Sequence, residues 1–144
     1  MQKDIIRLIR ENGIPAEKLC FEITETAAIS NFESAIEFIR ELRQIGCHVA
    51  LDDFGSGMSS FAYLKNLPVS HLKIDGAFVR NIHRDPIDRA MVEAITGVSH
   101  KIGLKVIAEY VSNSETYDIL GEIGVDYAQG YAIDQPQPLG MILH

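Results

Sequence analysis

Cysteine is scarce in this chain: Cys20 and Cys47 are the only two in 144 residues. Two thiols cannot build a disulfide framework, and a zinc site needs more ligands at closer spacing, so both are expected as reduced, buried side chains. Basic residues are also short, with 13 lysines and arginines against 20 acidic residues and a formal net charge of −7. Such a surface excludes polymeric nucleic acid as a general partner. It leaves room for a small phosphate-containing substrate if a metal ion supplies the positive charge. No apolar run reaches membrane-spanning length, and Met1-Gln2-Lys3-Asp4 does not open a signal peptide. The expectation is a soluble, cytoplasmic chain without membrane contact. No linker, repeat or low-complexity stretch interrupts residues 1–144, which read as a single domain large enough to bury a core. The five histidines are scattered. His48 and His71 sit at strand entrances, and His83, His100 and His144 lie in a loop, at a helix end and at the terminus.

What the chain does have is a succession of apolar runs that end in polar groups. Leu19-Cys20-Phe21-Glu22 comes first, followed by His48 to Asp53, Leu72-Lys73-Ile74-Asp75, Val106-Ile107-Ala108-Glu109, and Val125 to Gln129. Helical patterns lie between them. Gln2–Asn12 carries apolar residues at helical spacing before Gly13. Ser30-Asn31-Phe32-Glu33 has the form of a capping box ahead of a stripe made by Phe32, Ala35, Ile36, Ile39, Leu42 and Ile45. Phe61, Leu64 and Leu67 predict a short helix stopped by Pro68. Asp85-Pro86 predicts a long helix to about Lys101, and Ser112-Asn113-Ser114-Glu115 another to Leu120 or Ile123. The segment holding Pro136 and Pro138 reads as a tail. Alternation of α and β with mostly continuous apolar strands predicts a parallel sheet covered by helices. Five strands fall short of the eight, in about 250 residues, of a closed (β/α)8 barrel. An open doubly wound sheet fits the same pattern.

Asp52-Asp53 is the sharpest local feature. Adjacent carboxylates at the end of an apolar strand repel one another and resist burial, and a divalent cation would remove that penalty. A solvated acidic turn is the alternative. Strand alternation would send the two to opposite faces unless the strand is already ending. Glu22 and Glu109 end strands in the same way, and Glu25 lies just past the first. Four such carboxylates favour a metal cluster, and an oxygen-only set favours Mg2+ or Mn2+ over zinc. Lys73 occupies a core position, where it can pair with carboxylates or form a Schiff base with a carbonyl substrate. Gln129 is a neutral donor and acceptor suited to a substrate's polar edge. Gly55-Ser56-Gly57 has the wrong spacing for a nucleotide-binding fingerprint or a P-loop.

Phe21-Glu22-Ile23-Thr24-Glu25, Asp52-Asp53-Phe54-Gly55-Ser56-Gly57, Leu72-Lys73-Ile74-Asp75, Ala108-Glu109 and Gln129-Gly130-Tyr131 together resemble the successive motifs of the EAL domain family. These are cyclic di-GMP phosphodiesterases of bacterial signalling. The resemblance covers essentially the whole chain and implies a partial (β/α)8 TIM-type barrel of about five βα units. It implies metal-dependent hydrolysis of cyclic di-GMP to pGpG, with Mg2+ or Mn2+ as cofactor. By the same resemblance Glu22 and Asp52 are ligands of one metal, and Asp52, Asp53 and Glu109 hold a second. Lys73, with Glu109, belongs to the catalytic set and orients the attacking water and the phosphate oxygens. Gln129 and Asp75 are substrate-site residues. Glu25 anchors the loop Phe54 to Ser60, the family's link between the metal site and a dimer interface.

Two departures bear on activity. The family's Glu-Ala-Leu strand and a metal-binding asparagine precede Glu22 in that family and are absent from these 144 residues. Glu109-Tyr110-Val111-Ser112 stands where the family has Glu-Gly-Val-Glu. The expectation is a C-terminal part of the phosphodiesterase domain that is inactive alone. The alternatives are a non-catalytic module acting as cyclic di-GMP receptor or protein scaffold, and, from bare chemistry, a Schiff-base aldolase using Lys73. Open strand edges predict a homodimer or larger assembly.

Overall fold

The computed structural model describes residues 2–55, 61–130 and 133–138. Helix α1 (Gln2–Glu11) leads through a 3-10 turn (Ala16–Lys18) into β1 (Cys20–Thr24). Helices α2 (Glu25–Ser30) and α3 (Phe32–Gln44) precede β2 (His48–Phe54), and α4 (Phe61–Leu64) precedes β3 (His71–Ile74). Next come α5 (Gly76–Val79), α6 (Pro86–Ile102), β4 (Lys105–Val111), α7 (Ser114–Ile123), β5 (Tyr127–Gly130) and β6 (Ile133–Pro138).

Strands β1 to β5 are all parallel and lie side by side in chain order, with β6 antiparallel on β5. That order has no reversal. A doubly wound sheet needs a point where strand order turns back, so this alternative is excluded. Right-handed crossovers in an unbroken order put every connecting helix on the same face, which curls the sheet into an arc of a (β/α)8 barrel.

The two faces differ accordingly. Val49, Leu51, Leu72, Ile74, Val106 and Ala108 pack with Ile39, Leu42, Val92, Ile95 and Leu120 of the helices in one buried core. Alternation turns Glu22, Ala50, Lys73 and Ile107 the other way, and the strand register sets Glu22 beside Ala50 and Lys73 beside Ile107. Chemistry is therefore confined to the concave face and its C-terminal rim.

Several local expectations are met by their own capping groups. The Asp85 carboxylate accepts from the backbone N–H of Ile87 and Asp88, with Pro86 at the first helical position of α6. Other expectations are corrected. Asn113, not Ser112, caps α7 through Thr116 N–H, and Asn31 caps α3 with no side-chain bond. Helices α2 and α5, each a single short run after a strand, carry no apolar periodicity that a sequence could display. The Pro136/Pro138 segment is a strand rather than a tail. Proline is compatible with a strand at a sheet edge, where its missing N–H is not needed. Cys20 is exposed, against the expected burial, because β1 is the other edge strand and alternates between exposed and half-buried residues; Cys47 is buried, and both thiols are free.

Candidate active site at the C-terminal rim

Each strand of the arc delivers its polar residue to the same end, but two of them do so through an irregularity. Between Leu51 and Phe54, β2 advances three residues while β3 advances from Leu72 to Ile74. Between Ala108 and Val111, β4 advances three while β5 advances from Ala128 to Gly130. Each is a one-residue bulge, uncommon in parallel pairs and characteristic of places where a side chain must be re-aimed. The residues inside the bulges are Asp52-Asp53 and Glu109-Tyr110. Asp53 and Tyr110 are also, among the described residues, the non-glycine ones with positive φ, at 58° and 62°. Aspartate tolerates this conformation through its short polar side chain. For a bulky tyrosine it is a strained position, costing on the order of 1–3 kcal/mol.

The first bulge cancels the strand alternation that would have separated the two aspartates. Ligand oxygens of Asp52, Asp53 and Glu109 lie within 4.8 Å of one another. Asp52 also accepts from the Asp53 backbone N–H at 2.8 Å. Burial pushes the Asp52 carboxyl above its usual range; Asp53 and Glu22 push the same way, while that N–H and Lys73 oppose them. Burial and the Asp52 charge likewise raise Glu109, with Lys73 pulling it back. This is a set of hard oxygen donors crowded against their own repulsion, the environment a divalent cation relieves. The donor set fits Mg2+, Mn2+ or Ca2+ and lacks the nitrogen or sulfur that zinc prefers.

Lys73 lies below this cluster and is only 4% exposed. Its ammonium pairs with Glu22, lies 3.3 Å from Glu109 Oε1 and donates to Gln129 Oε1 at 3.4 Å. Burial alone would lower the Lys73 pKa, but Glu22 and Glu109 outweigh it and the net direction is upward. The lysine stays charged, which disfavours the neutral amine that Schiff-base chemistry requires. Glu22 stands outside the carboxylate cluster and serves as the lysine's partner. Asp75 caps α5, accepting from Ala77 N–H at 3.3 Å.

Glu25 is 4% exposed and accepts a hydrogen bond from the hydroxyl of Tyr63 on α4, tying the exit of β1 to the element that follows the 56–60 segment. Ser56 to Ser60, most of the loop assigned to Glu25 by resemblance, and Tyr131 lie outside the described residues. Tyr63 went unread in the sequence. Its only signal there was an aromatic hydroxyl three residues past a glycine- and serine-rich loop, which does not identify a partner 38 positions away. Gly55 carries φ +101° and faces the Phe78 ring closely enough that a Cβ would overlap it. His48 and His71 lie at the opposite rim, their rings 5.5 Å apart, away from the carboxylates.

A family model of the EAL domain matches residues 1–136. The cyclic di-GMP phosphodiesterase PdeB of Shewanella oneidensis is 51% identical over 126 residues, a match spanning 88% of this chain and 15% of that protein. Among solved structures, the PaMucR phosphodiesterase in complex with c-di-GMP superposes with a TM-score of 0.84 at 30% identity, over 98% of this chain and 57% of that one. A manganese and cyclic di-GMP complex of Klebsiella pneumoniae BlrP1 gives 0.81 at 28% identity, over 92% of this chain and 34% of that one. The 144 residues thus span well under two thirds of the length of each of these relatives.

Proposed function

The chain belongs to the EAL domain family, and from that premise we propose that residues 1–144 form one partial EAL domain that contributes most of a cyclic di-GMP phosphodiesterase site. The observation that carries the reading is the convergence of Asp52, Asp53 and Glu109 within 4.8 Å above a buried lysine. Those three residues would hold a divalent cation, Mg2+ or Mn2+, and Glu22 with Asp52 would hold another. Bound cations supply charge stabilisation for the phosphodiester and an activated water. The protein's part is positional. Lys73, kept cationic by Glu22 and Glu109, presents N–H donors to a phosphate oxygen from the floor of the site. Gln129 fixes the lysine and offers its amide to the substrate. Asp75 stands at the neighbouring strand exit, where a substrate's donor groups would arrive. Glu25 holds α4 through Tyr63 and so restrains the far end of the segment that follows Asp53.

The test is calorimetric titration with Mn2+, followed by cyclic di-GMP in its presence. D52N should lose Mn2+ binding, and unchanged affinity in that variant contradicts the assignment. By itself the 144-residue polypeptide is expected to release no pGpG, because its sheet is an open arc and β1, which carries Glu22, has no neighbour on its outer side among the described residues. Turnover at an ordinary enzymatic rate would overthrow this. A second reading, a receptor that binds cyclic di-GMP without hydrolysing it, is favoured by Tyr110 and Ser112 beside Glu109. Binding without pGpG formation in a protein containing the remaining strands would select it.

A further inference from the structure

Among the described residues of the rim, Tyr110 is explained by neither the metal reading nor the core. It sits directly after Glu109, in the bulge of β4, at a φ of 62° that glycine would adopt freely. The residue is 53% exposed, so burial does not hold it there. Two contacts do. The Arg80 guanidinium lies over the ring, 4.7 Å from its centroid, within the range of a cation–π interaction. The ring also rests on the backbone of Gly76, so closely that a Cβ at that position would overlap its Cδ2, Cε2 and Cγ atoms. Gly76 and Arg80 are the first residue of α5 and the residue that ends it. The tyrosine therefore fastens the exit of β4 to the helix that follows β3.

Glu109 shares the concave face with Ile107 by strand alternation, and it is the first residue past the last regular β4–β5 pair at Ala108. Between Ala108 and Val111 the ladder with β5 is out of register, so the conformation of Tyr110 sets the backbone on the C-terminal side of Glu109. Resting on the proposed metal site, we infer that Tyr110 is a positioning residue: held by Arg80 and seated on Gly76, it locks the β4 bulge and so keeps Glu109 aimed at Asp52 and Asp53. The glycine at position 76 is required by this arrangement, since any side chain there would displace the ring. The strain at position 110 is then the consequence of using an anchored aromatic where a bare turn would otherwise be free to relax.

The experiment measures Mn2+ affinity, from the signal of free Mn2+ in electron paramagnetic resonance, for the chain and for Y110A, R80A, Y110F and D52N, each verified as folded by circular dichroism. Y110A and R80A should weaken Mn2+ binding about tenfold, the lower end of what outer supporting groups contribute. Y110F keeps the ring and its cation contact, so it should retain the affinity of the parent chain. R80A leaves the tyrosine in place and keeps the question answerable if Y110A does not fold. Unchanged Mn2+ affinity in Y110A and R80A overturns the inference, as does a Y110F defect equal to that of Y110A. Loss of cyclic di-GMP affinity in Y110A at unaltered Mn2+ affinity would overturn it in favour of direct ligand contact. If D52N also binds Mn2+ normally, the metal site itself is wrong and the clamp falls with it; a D52N defect alone removes only the clamp.

Discussion

At the scale of single residues, the site is governed by how few charges neutralise many. Lys73 is the only cation contacting Glu22 and Glu109 among the described residues, and it is almost fully buried. Removing one partner of such a network leaves the others uncompensated, which in a fully buried pair costs about 3–5 kcal/mol. Glu22 is 47% exposed and partly screened by water, so K73M should destabilise by a smaller amount, about 1–3 kcal/mol. Urea unfolding at neutral pH checks this, and a K73M chain as stable as its parent would refute the coupling. The identity of Lys73 as a site residue was legible, because a lysine between Leu72 and Ile74 breaks an apolar run. Its partners were not, because Glu22 and Gln129 are separated from it by 51 and 56 positions.

At the scale of elements, the strand entrances oppose the rim in character as well as in position. His71 at the start of β3 accepts or donates to Ser70 Oγ at 2.7 Å and contacts the rings of His48 and Tyr127. Burial lowers its pKa, and His48, Arg43 and Lys105 lower it further, with Asp126 opposing. A histidine whose folded pKa lies below its unfolded value of 6.5 favours the folded state when neutral. Its contribution is complete above pH 6.5 and is lost as pH falls through 6.5 toward the folded value. Asp52 and Glu109 act in the opposite sense, since their raised values mean that protonation relieves the folded state as pH falls. Comparing H71Q with the parent by urea unfolding between pH 7.5 and 5.5 isolates the histidine. The stability difference should shrink as pH falls, and a pH-independent difference would show that His71 does not titrate in this way. Element types were legible wherever a run was long or well capped, as for α3, α6 and β2. Helices α2 and α5 and strand β6 were not, being too short for periodicity or marked by prolines that only an edge position tolerates.

At the scale of the molecule, five parallel strands in sequential order make an arc with β1 at one edge and β6 at the other. Strand β6 carries prolines that blunt pairing, whereas β1 has none. The exposed edge of β1 is thus the place where association would begin. Light scattering should find the 144-residue chain as a dimer or larger assembly, and a stable, well-folded monomer would contradict this. No helix among the described residues is long and apolar enough to cross a membrane.

The strand-end carboxylates were written into the sequence, and so were the alternation of helix and strand and the motifs that mark the family. These features are local: an apolar run, a cap or a residue order is complete within a few positions. Whether Asp52 and Asp53 face the same way was not local. It depends on the extra residue that β2 carries relative to β3, and the positive-φ turn of Tyr110 directly after Glu109 arises in the same way between β4 and β5. Only the paired sheet defines such a bulge, because a residue is surplus only in relation to its neighbouring strand. The choice between an arc and a doubly wound sheet has the same origin. Both use identical βα units, and strand order alone, set by how the units pack, separates them.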